Sequence, residues 1–355
     1  MADNIKNLDN NEAIKKLDKA AMLEAVAAWP EMLQAALGIV PLVAVRRAKQ
    51  VKQVVISGMG GSAIAGNIVL DLYAHQLGYP LFVNRDYSLP AFVAKGTALL
   101  ALSYSGNTEE TLAAIKEAEG RGAQIIAITS GGKLKDLAVQ AGWPLFVVPA
   151  GQQPRAALPY LLGCLLNALG QLGIIELDPQ ELSEVLLLLP RLREEYSVAK
   201  SYRVNPAKQL AHKLLGKLPV VLAGGGYASA GLRLKTQLNE NSKASALYNV
   251  FPELNHNEIV PWSGLKRSEH NFAVVLLRDK NDPARLQKRI DITKSLIGRE
   301  LGGISEVWSQ GKSSLARLLS LIFFGDLVSV YLAILKRLDP SPVAIIERLK
   351  RELSR

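Results

Sequence analysis

The pattern of apolar and polar positions changes character near Lys52. Before it, residues 11 to 45 carry apolar side chains at helical spacing. AIKKLDKAAMLEAVAAW reads as one amphipathic helix, Pro30 as a break, and EMLQAALGI as a second helix. After it, short apolar runs alternate with helical stretches. VVIS reads as a buried strand, followed by Gly58-Met59-Gly60-Gly61-Ser62 and the helix AIAGNIVLDLYAHQL. PLFVNRDY, LLALS, AQIIAITSGG and PLFVVPAG supply further strands. Strands alternating with helices predict parallel pairing through right-handed crossovers, with ligands at the carboxyl ends of the strands.

The chain is organised around one such end, Leu99 to Thr111, LLALSYSGNTEET. The apolar run stops at Ser103-Tyr104-Ser105-Gly106-Asn107-Thr108, and a helical segment follows at once. Free N–H groups and the positive end of the helix dipole suit an anion there. Ser103, Ser105 and Thr108 add hydroxyl donors, and Gly106 lets the backbone come close. Asn107, with Glu110 three residues on, reads as the N-cap. The plainer alternative is that these hydroxyls only cap and turn; their number, with a glycine after a buried strand, favours a phosphate cup.

Residues 151 to 200 read as a helical connector opening with Gly151-Gln152-Gln153-Pro154-Arg155. The first theme then returns: LPVVLAGGGYASAGLRLKTQL repeats the grammar of VVISGMGGSAIAGNIVLDL. FAVVLLRD is a later strand and ISEVW a weaker one. The fold class is therefore α/β, two related subdomains that are each a parallel sheet flanked by helices, with helical terminal segments. The expected division is 1–50 helical, 51–150 first subdomain, 151–200 connector, 201–310 second subdomain and 311–355 helical.

Charge and composition narrow the function. The net charge is +10, but no basic run is interleaved with aromatics, which argues against nucleic acid and for steering of anionic substrates. The one cysteine, Cys164, lies in an apolar segment and reads as a buried structural thiol; with no intramolecular disulfide possible, a reducing cytoplasm is expected. The polar N-terminus is no secretory signal. Leu315 to Leu335 is long and apolar, yet Arg317 and Gly325-Asp326 make it a core helix rather than a membrane span.

Gly58-x-Gly60-x-x-Ala63 also fits a loose dinucleotide fingerprint. The acidic partner that design requires is poorly met by Asp86, and a hydroxyl-rich loop is no part of it. In the second half, Asn239-Glu240-Asn241-Ser242-Lys243 closes a helix, and His256 follows within Pro252-Glu253-Leu254-Asn255-His256-Asn257-Glu258. Polar groups this dense, flanked by apolar runs, are costly to bury unless they serve one another or a ligand. Glu240 could be a solvated helix-end charge or a base. His256 fits an acid/base role better than a metal site, since there is no HExxH and no His pair at ligand spacing.

GMGGSAIAG, SYSGNTEET, QLNENSK, PELNHNEIV and FGDLVSVYLAILKRLDPSPV, in that order, resemble the bifunctional phosphoglucose/phosphomannose isomerases. These belong to the sugar-isomerase-domain (SIS) branch of the phosphoglucose isomerase superfamily. The resemblance implies two SIS subdomains in a homodimer with shared active sites. It implies hexose 6-phosphate substrates, an aldose–ketose isomerisation through a cis-enediolate, and neither metal nor organic cofactor. By it, Gly61, Ser62, Ser103, Ser105 and Thr108 hold the substrate phosphate. Arg155 stabilises the enediolate and Glu240 moves the proton between C1 and C2. His256, supplied across the dimer, helps open the ring, and Lys350 reaches the sugar. Ser341 stands where the family usually has threonine, at a position linked to substrate specificity; Ser242 replaces a usual alanine and Pro261 a common glycine. An isomerase of another phosphorylated sugar, or a non-catalytic sugar-phosphate sensor, shares the cup. The sensor need not keep Glu240, Arg155 and His256.

Overall fold

The computed structural model describes residues 6–47, 51–262, 271–298 and 303–353. The chain divides into two compact units, one of residues 28–187 with 312–316 and one of residues 1–27, 188–311 and 317–355.

The first unit holds a five-stranded parallel sheet: β1 (Gln53–Ser57), β2 (Leu81–Asn84), β3 (Thr97–Leu102), β4 (Gln124–Thr129) and β5 (Leu145–Val147). Their spatial order is β2-β1-β3-β4-β5. Every residue of β3 is buried, because helices cover both faces of the sheet. Val55, Leu99, Ala101, Ile125 and Ala127 face Ala114, Ile115 and Ala118 of helix Glu109–Gly120 and Leu134 and Ala138 of helix Gly132–Ala141. Helix Gly60–Tyr73 packs on β1 and β2 and against helix Leu158–Leu172. Cys164 in that last helix is fully buried, and burial pushes its thiol up to about 12, so it is an inert packing group.

The second unit holds a four-stranded parallel sheet: β6 (Leu218–Ala223), β7 (Leu247–Val250), β8 (Phe272–Arg278) and β9 (Ile304–Trp308), in the order β7-β6-β8-β9. This is the winding of β2-β1-β3-β4, as the repeated glycine theme predicts. Strand β7 was not expected: LYNV is short, half-buried and partly polar, and it joins the sheet through backbone pairing with β6 rather than through an apolar run. The long apolar helix Ser314–Leu335 has the length and composition of a membrane span, yet its most apolar stretch is entirely buried within the protein.

Two expectations near the N-terminus fail on backbone grounds. Pro30 does not break a helix; it sits in the first turn of helix Trp29–Leu37, where its missing N–H costs nothing. The predicted single helix before it is two, Asn11–Leu17 and Met22–Ala27. Asp18 separates them and caps the second by accepting the N–H groups of Met22 and Leu23 at 2.8 and 2.7 Å.

The second glycine cluster opens onto a different chemistry from the first. Beyond the end of β8 lies Asp279, fully buried. Its Oδ2 accepts from the Tyr227 hydroxyl, from Ser309 Oγ at 2.7 Å and from Arg317 Nε at 2.8 Å. Burial alone would raise its pKa. The bonds from Tyr227, the Asn281 N–H and Ser309, with the Arg317 charge, outweigh that and hold it below the usual carboxylate range. A folded-state pKa below the unfolded one contributes stability above the unfolded value, about 3.9, that is lost as pH falls through the folded value. Asp279→Asn should therefore cost about 3 kcal/mol at neutral pH and flatten the acid limb of the stability curve. Urea unfolding at pH 7 and through the acid range measures both, and an unchanged acid limb would count against the assignment.

Candidate active site

The order of the first sheet reverses at β1, whose neighbours β2 and β3 lie on either side. The crevice beyond the ends of β1 and β3 is therefore where a ligand fits, and both loops singled out from the sequence end there. Gly58 follows β1, and a Cβ added to it would stand 2.9 Å from the Leu102 carbonyl and 3.1 Å from Ser62 Cβ. The first glycine is thus what lets the β1 loop lie against the end of β3. Helix Gly60–Tyr73 starts with no side-chain cap, and Ser62, whose N–H donates to the Met59 carbonyl at 3.0 Å, sits buried in its first turn.

At the end of β3, Ser103 is buried and its hydroxyl lies 2.8 Å from that of Thr108. Thr108, not Asn107, is the N-cap residue of helix Glu109–Gly120, and its side chain makes no capping bond. Asn107 serves the loop instead: its amide donates to the Ser105 carbonyl at 3.2 Å and its Oδ1 accepts the Lys133 N–H at 3.1 Å. Gly106 has φ +69°, and a Cβ there would fall 1.8 Å from the Gly131 carbonyl oxygen. The cup is wedged between two strand ends and closes only on glycine. Ser105 is exposed at its mouth.

Arg155 comes to the same place by two routes. A Cβ on Gly61 would lie 3.3 Å from both Arg155 Cα and the Pro154 carbonyl oxygen, so the helix start and the connector touch through backbone. Tyr104, inside the cup sequence, donates its hydroxyl to the Pro149 carbonyl at 2.8 Å and accepts the Gln152 N–H at 2.9 Å. Burial raises the Tyr104 pKa, keeping that donor protonated. Arg155 itself is buried. The sequence reading passed over Tyr104, an aromatic residue among hydroxyls; its position between Ser103 and Ser105 was the available signal. The structure brings Gly61, Ser62, Ser103, Ser105, Thr108 and Arg155 into one region of the first unit.

In the second unit, Glu240 is the last residue of helix Ala228–Glu240 and is half-buried. The helix is fastened at two levels to Ser314–Leu335. Arg233 and Asp326, both buried, form a two-pronged pair with Nε–Oδ1 at 2.9 Å and Nη2–Oδ2 at 2.6 Å. Beyond Glu240, the Asn241 amide donates to Ser329 Oγ at 2.9 Å and Ser242 Oγ to the Ser329 carbonyl at 2.6 Å. The buried hydroxyl of Ser242 is therefore satisfied. Lys243 Nζ donates to the Asp339 and Pro340 carbonyls at 2.9 and 2.8 Å, tying the end of the Glu240 helix to the turn that carries buried Ser341. Lys243 was noted in the sequence only as part of a polar cluster; its role in the turn depends on a contact almost a hundred residues away.

His256 is exposed, at the end of a short 3-10 turn, Glu253–His256. Buried Leu254 anchors that turn, and the Phe251 N–H donates to the Ala223 carbonyl at 2.9 Å, so the segment leaves β7 tied to the end of β6. Lys350 is exposed on helix Ala344–Leu353. The second unit thus gathers the Glu240 helix end with Ser341, and holds His256 and Lys350 on separate exposed segments.

Comparison with known proteins identifies the family and the fold. Residues 48–138 match the SIS domain, and residues 203–353 match the bacterial phospho-glucose isomerase C-terminal SIS domain. A curated bifunctional phosphoglucose/phosphomannose isomerase of Caldicellulosiruptor bescii is 44% identical over 94% of this chain and 99% of its own. The chain belongs to the bifunctional phosphoglucose/phosphomannose isomerase family. Another member of that family, from Aquifex aeolicus, is 39% identical over 86% of this chain and 91% of its own. Among solved structures, a glucose-6-phosphate isomerase like protein from Thermus thermophilus superposes with a TM-score of 0.67 at 20% identity, covering 97% of this chain and 98% of that one, which speaks to the fold alone.

The tight closure at Gly106 gives a direct test. Gly106→Ala puts an L-residue at positive φ against a backbone oxygen and should cost at least ~2 kcal/mol. Gly120→Ala, at a helix end with nothing within 4 Å of the added Cβ, should be neutral or slightly stabilising. Denaturant midpoints of the two variants, measured together, check the contrast.

Proposed function

We propose that this protein interconverts glucose 6-phosphate and mannose 6-phosphate with fructose 6-phosphate by proton transfer through a cis-enediolate. The observation that carries the reading is a hydroxyl cup sharing one backbone contact region with a buried arginine: Ser103 and Thr108 at the end of β3, and Arg155 against Gly61. Family membership over nearly the whole chain supports the same reaction.

In this reading the substrate phosphate is held by Gly61, Ser62, Ser103, Ser105 and Thr108, through helix N–H groups and hydroxyls. His256 of the partner subunit and Lys350 exchange protons with the ring oxygen and hydroxyl, which releases the open-chain aldehyde. Glu240 takes the C2 proton. The C–H electron pair forms the C1–C2 double bond, and the carbonyl pair moves onto oxygen. The Arg155 guanidinium stabilises that negative charge. Glu240, now protonated, returns the proton to C1, the proton of the C2 hydroxyl passes to the C1 oxygen, and C2 becomes the carbonyl of the ketose. Protons and electrons move within one substrate, so the reaction needs no redox cofactor, and the enediolate charge is met by Arg155. Mannose 6-phosphate differs at C2 alone. Rotation about C2–C3 offers its proton to the same carboxylate, and Ser341 sets the room for that rotation.

We infer a homodimer with shared active sites. Helix Ala344–Leu353, which carries Lys350, buries none of its residues and leaves Ile345, Leu349 and Leu353 uncovered on one face, a surface suited to a second copy.

A coupled assay for fructose 6-phosphate, fed separately with the two aldose phosphates and with a chelator present, tests the function; activity on both is expected. Glu240→Gln should lower kcat by about 10²–10⁴-fold with little change in KM, and substantial residual turnover would remove Glu240 as the base. His256→Ala should slow ring-closed substrate more than open-chain substrate. Equal losses on both would argue against a ring-opening role.

A further inference from the structure

The second unit carries a cavity of about 280 Å³ that the proposed reaction does not use. Its size is near the lower end of small-molecule sites, about 300–1,000 Å³. It lies along helix Ala284–Ile297. Arg285, Lys288 and Arg289 line it, spaced to share one face of the helix. Among the described residues none of the three has a carboxylate partner; Arg289 reaches only Asn255 Oδ1, at 3.5 Å. Among the described residues, Asp291 of this helix pairs with Arg278 and Glu306 with Arg278 and Lys294, while Glu253 and Glu258, on the segment that carries Asn255, bond Asn257 and Asn249.

This arrangement is locally unfavourable. Like charges at helical spacing repel one another. Cations in the first two turns also oppose the helix dipole, and the first turn contains no acidic residue. The same cavity has an apolar side: Ile292 and Leu296, 48% and 59% exposed, with Ile259. Its polar floor is a side-chain bond, Asn255 Nδ2 to Thr293 Oγ1 at 2.8 Å. Cations without carboxylate partners among the described residues on one side and uncovered aliphatic groups on the other match one chemistry.

We propose that this cavity is a second binding site, separate from the phosphate cup, for a phosphate monoester with an apolar or planar body. The phosphate meets Arg285, Lys288 and Arg289, and arginine suits it through paired N–H donors. The body covers Ile259, Ile292 and Leu296. Charge from three cations against a low-dielectric wall focuses attraction on an anion of this size.

The test uses the full chain and adenosine monophosphate as probe, with inorganic phosphate as the bodiless control, both titrated calorimetrically. Wild type should bind adenosine monophosphate at least tenfold more tightly than phosphate. Arg285→Glu with Lys288→Glu, both at exposed positions, should weaken adenosine monophosphate binding at least tenfold, with circular dichroism and isomerase kcat and KM unchanged. Because the readout is binding, it stands whether or not the isomerase reading does. Unchanged binding in the double variant would place the probe elsewhere and overturn the proposal. So would equal affinity for phosphate and the nucleotide, a change in oligomeric mass in the double variant, or binding of wild type to phosphatidylglycerol vesicles, each of which assigns the face to another occupant.

Discussion

A parallel sheet covered by helices on both faces leaves room for polar chemistry only where its strands stop. All six residues of β3 are buried; the hydroxyl of Thr97 at its start is taken by Gln53 and the Ala94 N–H, so the first hydroxyl at its carboxyl end is Ser103. What happens at that point is set by backbone geometry more than by side-chain affinity. Gly58 lets the β1 loop reach the end of β3, Gly106 lets the cup close on Gly131, and Gly61 lets the connector bring Arg155 alongside. At each of these points a Cβ would meet backbone at 3.3 Å or less. Tyr104 then fixes the approach of the connector through two main-chain bonds. Donors held this way are in position before a ligand arrives, which is the condition for electrostatic stabilisation without reorganisation.

The two sheets share a winding order but not a chemistry. Where the first offers hydroxyls at the end of β3, the second presents Asp279 at the corresponding end of β8. A buried carboxylate repels an anion, and this one is already satisfied by Tyr227, Ser309 and Arg317. In the proposed function the duplicated scaffold is therefore used once for phosphate and once as an internal anchor. Only side-chain identity at a strand end separates the two uses, which is why a repeated glycine pattern alone does not imply a repeated site.

Much of this was legible in the chain. Continuous apolar runs between helical stretches marked eight of the nine strands among the described residues, and the duplication followed from repeated grammar. The cup was readable because hydroxyls and a glycine after a buried run have few other uses. What stayed hidden depended on partners distant in sequence. Strand β7 has no apolar signature of its own and exists because β6 offers it an edge. The N-cap moved from Asn107 to Thr108 because the Asn107 side chain is drawn to Ser105 and Lys133. Tyr104 and Lys243 look like ordinary polar-cluster residues until Pro149 and Asp339 come into reach. Local propensity cannot report such contacts.

The same reasoning bears on how the proposed labour is divided. Glu240 must meet a carbon-bound proton at one distance, and such a transfer is sensitive to small displacements. Its helix is held by a buried ion pair at Arg233 and by three side chains beyond its end, Asn241, Ser242 and Lys243. Rigid support is provided where the geometry is demanding. His256 and Lys350, to which the proposal gives proton exchange with oxygen, stand instead on exposed segments, one a single turn and the other a helix with no buried residue. Proton exchange between oxygen and nitrogen tolerates looser placement, since a water can bridge the gap. A second copy covering the apolar side of that helix would order Lys350 on assembly, so the ring-opening half of the reaction is the half that dimerisation would complete.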